Sequence, residues 1–358
     1  MISINEYNVF GLDIGDFTLR LIGIEKRGKK FHIVTQNELP LPEDSIIDGE
    51  IKKPDIFIQS VKKIVATAHG KKIRTNRVVS VLPETKTFIK LLKISSDSTE
   101  NLPKNLIQEM TRHIPYSMDE IYFDWQLLNV FDKKGENDIL AGAAPIQTVD
   151  TYLSALKSAG LIPVVLEIEA AAIMRSLTQI QRTQYTPDSP PQAQIIIDFG
   201  ATRTSLIVCD KNTIQFTMSL PVSGNDITKK IGEKLDLDYK KAEKAKILCG
   251  LDKDKCKGVM KTILMDSINQ LIKKIQETIF FYEEQNGKSG IVKEIVLCGG
   301  GAYLMDIDTT LYEAFHIPIK ISDPTINIAK VDKTLNLTKN NILSYATAIG
   351  LALRGFEI

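Results

Sequence analysis

The first eighty residues alternate between short apolar runs and polar turns, a pattern typical of an α/β domain. The pattern predicts three consecutive strands at 9–15, 18–26 and 30–39, with a tight turn between the first two. Apolar residues at helical spacing then predict a helix within 54–70, which begins at a proline and ends at a glycine. The nearly all-apolar run at 77–83 predicts a strand in a sheet that is covered on both faces.

The segment 84–162 has a different pattern, in which a strand, a helix, two strands and a second helix follow one another. This order predicts a small α+β subdomain inserted into the first domain. The segment contains Trp125, the only tryptophan of the chain. Because most tryptophans are largely buried, we expect Trp125 to lie in a core, with a role in partner binding as the alternative.

A proline-rich polar segment at 185–194 is predicted to be a loop that connects two halves of the chain. Beyond it the opening pattern returns, because "GLDIGDFTLRLIGI" matches "IIDFGATRTSLIVC" when Asp13 is aligned with Asp198 and Gly15 with Gly200. The offset of 185 residues (198 − 13) is too long for a solenoid and indicates two copies of one α/β domain. In the second copy, helices are predicted at 224–234, 239–248 and 258–286.

The two matching hairpins carry the candidate chemistry. An aspartate inside a buried strand costs several kcal/mol unless it is paired or faces a cation, so Asp13 and Asp198 predict two walls of one cleft. A hydrated Mg²⁺ between them would relieve their repulsion. Gly15 and Gly200 permit tight turns with close backbone approach, and the N–H groups of such turns can bind phosphate. Hydroxyl groups are available nearby on Thr18, Thr202 and Thr204.

A third element is "CGGGAYL" at 298–304, where three glycines would let a flat ring or a phosphate lie against the backbone. A helix predicted to begin near Ala302 would direct its positive end toward the same place. Helices rich in small residues at 167–177 and 345–353 end the two halves. We expect these two helices to approach closely as a pivot between domains, with ordinary tight packing as the alternative.

Composition narrows the class of protein. The chain has 358 residues, 43% of them hydrophobic and 25% charged, with a net charge of +1. The overall charge therefore does not favour binding to nucleic acid or to an anionic membrane. No signal peptide is evident, and no apolar run approaches the roughly 18 residues of a membrane span, so we expect a cytoplasmic protein that reaches membranes through a partner. Four histidines are scattered and suggest no metal site or triad. We expect the four cysteines to be buried reduced thiols, namely Cys209, Cys249, Cys256 and Cys298.

Five motifs in order resemble those of the actin-like ATPase superfamily, which includes actin, sugar kinases, the heat-shock ATPase domain and FtsA. They are "GLDIGDFTLRL", "EIEAAAIM", "IIDFGATRTSLIV", "VLCGGGAYL" and "YATAIGLAL", similar to the first phosphate loop, first connecting helix, second phosphate loop, adenosine loop and second connecting helix. Within the superfamily the chain most resembles the PilM family of type IV pilus assembly proteins. That resemblance rests on "TRHIPYSMDEIYFDWQLL", "GNDITKKIGEKLDLDYKKAEKAK" and the terminal "AIGLALR".

The resemblance implies an α/β fold with two RNase H-like domains and an inserted subdomain. The first domain would comprise 1–83 and 163–190, with a C-terminal helix within 340–358 packing back on it. The inserted subdomain would be 84–162 and the second domain 191–339.

The resemblance also implies ATP in the cleft, with Asp13 and Asp198 holding Mg²⁺ through water. Glu169 matches the position that places the attacking water, and Glu167 is a weaker candidate. Phe17, Ala201 and Arg203 depart from the residues of strong ATPases, so we expect slow hydrolysis or binding without turnover. The residues implied to contact the nucleotide are Gly15, Asp16, Phe17, Thr18, Gly200, Ala201, Thr202, Arg203, Thr204, Gly224, Glu243, Lys246, Gly299, Gly300 and Gly301.

The implied function is a nucleotide-dependent scaffold on the inner face of the cell membrane, in a pilus or a related secretion machine. Its implied partners are the cytoplasmic N-terminal tail of a PilN-like membrane protein, gripped near 84–162, and other components of the assembly platform; self-association is possible. A division or filament-forming ATPase like FtsA is the first alternative. A small-molecule kinase is the second, although 70–100 offers no convincing catalytic aspartate.

Overall fold

The computed structural model describes residues 9–95, 101–114, 116–129, 136–179, 193–286 and 290–357. Within these ranges the strands are β1 (Phe10–Ile14), β2 (Thr18–Arg27), β3 (Lys30–Pro40), β4 (Ile46–Ile47), β5 (Glu50–Ile51), β6 (His69–Gly70), β7 (Arg77–Leu82), β8 (Phe88–Ser95), β9 (Ile121–Asn129), β10 (Glu136–Pro145), β11 (Ile162–Ile168), β12 (Ala193–Phe199), β13 (Thr204–Asp210), β14 (Thr213–Leu220), β15 (Val292–Cys298), β16 (Ile319–Ile321) and β17 (Ile328–Val331). The α-helices are α1 (Pro54–Ala66), α2 (Leu102–Met110), α3 (Ile146–Ser158), α4 (Glu169–Leu177), α5 (Gly224–Leu235), α6 (Tyr239–Cys249), α7 (Val259–Asn286), α8 (Ile307–Phe315) and α9 (Ala346–Arg354).

Two sheets share one plan, as the internal repeat predicts. In the first sheet the strand order is β11-β7-β1-β2-β3-β17, with β1, β2 and β3 antiparallel and β7 parallel to β1. In the second sheet β12, β13 and β14 form the same meander, and β15 is parallel to β12. Asp13 pairs with Arg20 across the first hairpin, and Asp198 pairs with Ser205 at the equivalent register of the second. The prediction of two copies of one domain is therefore confirmed.

Each sheet is covered on both faces, which explains why its central strands are apolar throughout. Helices α1 and α3 cover one face of the first sheet, and α9 covers the other. Helices α5 to α8 cover one face of the second sheet, and α4 covers the other. The long helix α7 buries residues three or four positions apart, from Met260 to Tyr282, as an amphipathic helix must.

Helices α4 and α9 meet between the two sheets. A Cβ atom at Gly350 would lie 1.8 Å from the carbonyl oxygen of Ala172, so only glycine fits at this crossing. Arg175 on α4 adds a bidentate ion pair with Glu167 at 2.6 and 2.7 Å and a second ion pair with Glu357 at 3.0 Å. The close approach of the two small-residue helices is confirmed.

The inserted segment extends the second sheet. Strands β8, β10 and β9 are antiparallel, and β8 joins β14 through the pair Phe216–Lys90. Helix α2 packs on this small sheet around its own apolar core. Helix α3, in contrast, packs on α1, where Tyr152 lies 6.5 Å from Phe57 between ring centroids.

Three sequence expectations differ from the structure, and a fourth falls mostly outside the described residues. The glycine run is followed by a single 3₁₀ turn at Gly300–Tyr303, and the next α-helix begins only at Ile307, because Leu304–Asp306 leave helical geometry. Trp125 is 36% exposed, because β9 is the edge strand of its sheet. The second domain was expected to run to residue 339, but strand β17 (Ile328–Val331) pairs with β3 of the first sheet. Residues 185–192 of the connector predicted at 185–194 lie outside the described residues.

The cysteine expectation is wrong for two of the four residues. Cys249 and Cys256 form a disulfide with their Cα atoms 6.0 Å apart, and Cys256 is exposed. The turn after α6 brings them together, with Cys256 and Lys257 at positive φ. A seven-residue spacing does not reveal such a turn. Cys209 and Cys298 are buried free thiols, as expected. Among the described helices, none combines the length and apolar character that a membrane crossing requires.

Candidate functional site

A cleft of about 470 Å³ lies between the two hairpins. Its size falls within the range of small-molecule and cofactor sites. Its walls come from both sheets, from α5 and α6, and from the segment that precedes α9. The residues predicted from sequence that line it are Asp13, Gly15, Asp16, Phe17, Thr18, Glu169, Asp198, Gly200, Ala201, Thr202, Arg203, Gly224, Glu243, Lys246, Gly299, Gly300 and Gly301.

Asp13 and Asp198 contribute one carboxylate from each wall. Asp13 is only 6% exposed, and burial raises its pKa to about 7, with the nearby Asp198 adding to the rise and Arg20 opposing it. Burial also raises the pKa of Asp198, although the Cys298 thiol donates to its Oδ1 atom at 3.7 Å. The two carboxylates therefore lie close enough to repel each other and lack the solvation that an ionised pair requires.

Two further carboxyl groups face the same space. Glu169 is the first residue of α4, and its Oε1 atom accepts a hydrogen bond from the Thr347 hydroxyl at 3.3 Å. Burial, followed by the charges of Asp198 and Asp13, raises the pKa of Glu169 well above its ordinary value. Glu84, which follows β7, has a pKa raised mainly by burial. The inner end of the cleft is therefore an acidic site that would be stabilised by a cation.

Arg20 is the main residue that sequence reasoning missed. Its Nη1 atom lies 3.8 Å from Asp13 Oδ2, and its Nη2 atom is 3.1 Å from Glu38 Oε1. The guanidinium also lies 5.9 Å from the ring centroid of Tyr345. Register counting could have found Arg20, because the residue that pairs with Asp13 in a hairpin must share its face.

The two hairpin turns have the same backbone geometry. The Gly15 N–H donates to the Thr18 carbonyl at 3.1 Å, and the Gly200 N–H donates to the Arg203 carbonyl at 2.9 Å. The first residues of α5 then dock on the second turn, with the Gly224 N–H donating to the Gly200 carbonyl at 3.0 Å. The positive end of α5 therefore lies beside the second turn and favours an anion there.

The opposite end of the cleft is less charged. Lys246 Nζ pairs with Glu243 Oε2 at 2.7 Å and donates to the Gly224 carbonyl at 3.0 Å, so both side chains are fixed against α5. Gly299 has φ of 76°, and a Cβ there would lie 2.3 Å from Asp198 Oδ1, so only glycine fits. Apolar and amide side chains complete this end, namely Ile247, Tyr303, Leu304, Asn340, Asn341 and Leu343.

Two residues named from sequence do not reach the cleft with their side chains. Thr204 is fully buried, and its hydroxyl donates to the Val222 carbonyl at 2.6 Å. Its side chain points away because Thr204 is the first residue of β13 and alternates with Arg203 and Ser205, which do line the cleft. Glu167 is held by Arg175 at the crossing of α4 and α9, so it serves that contact.

The cleft can therefore accept an elongated ligand with an anionic end and a flat, less polar end. Arg20, the two turns and the start of α5 favour anionic groups, while the buried carboxylates favour a cation between them and the ligand. The described residues contain no cluster of three or more His, Cys, Asp or Glu arranged to hold a metal ion on its own.

The fold and the cleft together define the chain as a two-domain protein of actin-like fold. Its structure superposes on MreB5 of Spiroplasma citri bound to ADP with a TM-score of 0.55 and 15% identity, covering 96% of this chain and 95% of MreB5. It superposes on the PilM-PilN type IV pilus biogenesis complex with a TM-score of 0.82 and 22% identity, covering 99% of this chain and 100% of that chain.

The family is given by sequence. The family model described as type IV pilus assembly protein PilM matches residues 11–356, and the chain belongs to this family. A curated relative is the cell division protein FtsA of Buchnera aphidicola, 25% identical over 195 residues. That match covers 48% of this chain and 46% of FtsA, so the chain spans about half the length of the relative.

Proposed function

We propose that the chain binds Mg-ATP between its two sheets and acts as a nucleotide-dependent scaffold in type IV pilus assembly. The observation that carries the proposal is that Asp13 and Asp198 line the same cleft. Each comes from the same position of a repeated hairpin. Both carboxylates have pKa values raised by their low exposure to water, so they are unstable as an ionised pair without a partner, and a magnesium–phosphate complex would neutralise them.

The roles follow from position. Asp13 and Asp198 would hold Mg²⁺ through water, since this ion keeps several waters and takes phosphate oxygens. The turns at 15–18 and 200–203, with Arg20, would bind the phosphates. Glu243 and Lys246 would contact the ribose and the base, with Gly299–Gly301 against the opposite face. Supporting the choice of nucleotide, MreB5 of similar fold has been crystallised with ADP.

Hydrolysis is proposed to be slow or absent. Glu169 has the raised pKa and the Thr347 contact expected of a group that orients water. Phe17 is 42% exposed in the first turn, where it adds an apolar side chain beside the phosphates. Arg203 stands in the second turn where the resemblance implies a small residue. We propose that these departures from the family pattern slow phosphoryl transfer, which depends on the exact placement of water and phosphates.

The proposed partner is the cytoplasmic N-terminal tail of a PilN-like membrane protein, which would hold the chain at the inner face of the membrane. Support comes from family membership and from the similarity to the chain of the PilM-PilN complex. The inserted segment is the proposed site of contact, because edge strand β9 exposes Tyr122, Phe123 and Trp125. Contacts with other platform components and self-association are proposed on the family resemblance alone.

Calorimetry tests the nucleotide proposal. Wild type is expected to bind Mg-ATP, and Asp198→Ala is expected to lose the magnesium-dependent part of the affinity. The control is Asp210→Asn, at a buried aspartate in the same sheet that lies outside the cleft. A tail peptide titrated into wild type and Asp198→Ala, with and without Mg-ATP, tests the switch. Equal peptide affinity in all four samples would exclude nucleotide control of partner binding.

A division or filament-forming ATPase is the second candidate. The partial match to the cell division protein FtsA supports the division role, and filament formation is proposed on the family resemblance alone. Light scattering with Mg-ATP distinguishes the two. Reversible polymers that depend on nucleotide would favour the filament, and a constant particle size over the same concentration range would favour the scaffold.

A further inference from the structure

The hairpin formed by β4 and β5, residues 46–51, contacts both phosphate turns. Asp48 Oδ1 lies 3.2 Å from Arg203 Nη2 of the second turn, so an ion pair crosses the cleft. The Gly49 N–H donates to Asp16 Oδ1 of the first turn at 3.2 Å. Among the described contacts, this small hairpin therefore links the turn of one sheet to the turn of the other.

The same hairpin also rests on the chain at the start of the inserted segment. The Thr85 hydroxyl donates to the Asp48 carbonyl at 3.1 Å, and Lys86 Nζ pairs with Glu50 Oε1 at 2.8 Å. Gly49 has φ of 76°, and a Cβ there would lie 2.4 Å from the Cβ of Pro83. The hairpin is thus packed flush on residues 83–86, which lead directly into β8.

The last helix of the inserted segment makes a buried contact with Gly49 as well. The Tyr152 hydroxyl donates to the Gly49 carbonyl at 3.0 Å, and Tyr152 is 1% exposed. Tyr152 belongs to α3, which follows β10 without a break. Gly49 therefore joins the first phosphate turn, through its N–H, to helix α3 of the inserted segment, through its carbonyl.

The ion pair is the weak member of this network. The Asp48 side chain is 67% exposed and the Arg203 side chain 34%, and such pairs contribute about 0–1 kcal/mol. A phosphate group offers Arg203 a denser negative charge and a bidentate geometry. Because Arg203 also lines the cleft, a terminal phosphate would compete successfully with Asp48 for its guanidinium.

We infer that Asp48 competes for Arg203 with the third phosphate of a nucleoside triphosphate, which a diphosphate lacks. The 46–51 hairpin then transmits the outcome to the inserted segment through Gly49. The inference rests on the proposed function and specifies how the same cleft is regulated. With a triphosphate, Arg203 leaves Asp48, and the hairpin keeps only its contacts with the first turn, with residues 83–86 and with Tyr152. With a diphosphate, Arg203 stays with Asp48.

The first test compares affinities for Mg-AMPPNP and Mg-ADP by calorimetry. Asp48→Asn keeps a residue that tolerates the positive φ of 50° but removes the competing charge. It is expected to raise the ratio of AMPPNP to ADP affinity about two- to fivefold, the range that corresponds to an exposed ion pair. Asp44→Asn is the matched control, since Asp44 has φ of 56° and 69% side-chain exposure but pairs with Lys53 instead.

The second test measures hydrogen exchange in β8 and α3. Wild type is expected to exchange faster there with Mg-AMPPNP than with Mg-ADP, because the hairpin on which β8 and α3 rest has then lost its link to the second turn. Tyr152→Phe is expected to bind both nucleotides with wild-type affinity and to lose the difference. Tyr122→Phe is the control, because its hydroxyl donates to Asp150 of α3 and does not touch the hairpin.

The outcomes separate the two proposals. If wild type binds neither nucleotide, the proposed function fails and the relay fails with it. If both nucleotides bind, the relay alone is refuted by equal affinity ratios in Asp48→Asn and Asp44→Asn, or by an exchange difference that survives in Tyr152→Phe.

Discussion

Replacing Asp13 by asparagine is expected to stabilise the protein and to abolish magnesium-dependent nucleotide binding. Burial raises the pKa of Asp13 from 3.8 to about 7. Each tenfold change in acid dissociation corresponds to about 1.4 kcal/mol, so ionised Asp13 costs the folded state on the order of 4 kcal/mol. The folded carboxyl holds its proton where the unfolded one has lost it. Wild-type stability therefore falls as pH rises from about 4 to about 7, and is flat above that.

Urea unfolding of wild type and Asp13→Asn at pH 4 to 8, without nucleotide, measures this cost. The variant is expected to exceed wild type by a few kcal/mol at pH 8, with a gap that closes toward pH 4. Asp266→Asn is the control, because its carboxylate is 74% exposed in a surface pair with Lys230 and should change stability by less than about 1 kcal/mol. A variant less stable than wild type at every pH, or one that binds Mg-ATP as wild type does, would refute the reasoning.

Three further predictions concern ligand binding and the helix crossing. Mg-ATP affinity is expected to rise with pH through about 7, because the cation needs ionised Asp13. Calorimetry in two buffers of different ionisation enthalpy should detect the protons released on binding. The absence of proton release would count against a carboxylate-bound cation. Gly350→Ala is expected to destabilise by about 1–3 kcal/mol in urea unfolding because its Cβ overlaps the Ala172 carbonyl; Gly300→Ala, whose Cβ would lie 3.6 Å from its nearest neighbour, should not. Arg175→Met is expected to cost a few kcal/mol, about 3–5 at most, because Glu167 loses its bidentate partner and keeps only Arg354 at 3.8 Å. A loss under 1 kcal/mol would show that the pair is dispensable.

The order of elements could be predicted because each hairpin is encoded by residues that are close together in sequence. Asp13 and Asp198 interrupt otherwise apolar strands, and glycine turns follow at the same distance, so the repeat and the cleft follow from spacing. What the sequence did not predict depends on long-range pairing. Nothing in "INIAK" indicates that β17 joins β3, and nothing local to Trp125 shows that β9 is an edge strand.

Site residues that lie on the glycine turns were predicted from sequence. Those whose position depends on strand register or on contacts with distant segments were missed. Arg20 lies beside Asp13 only because the hairpin register pairs them. Thr204 seemed suitable by composition, but strand alternation turns its hydroxyl to the Val222 carbonyl. The role of Asp48 required knowledge of where a remote loop rests, which the spacing of motifs does not contain.

The most direct test of the shared cleft is a crystal structure with Mn²⁺ and AMPPNP, collected to record the anomalous signal of the metal. The account predicts one strong peak beside the phosphates, between the side chains of Asp13 and Asp198 and bridged to them by water. Nucleotide bound elsewhere, or a metal peak remote from both aspartates, would contradict it.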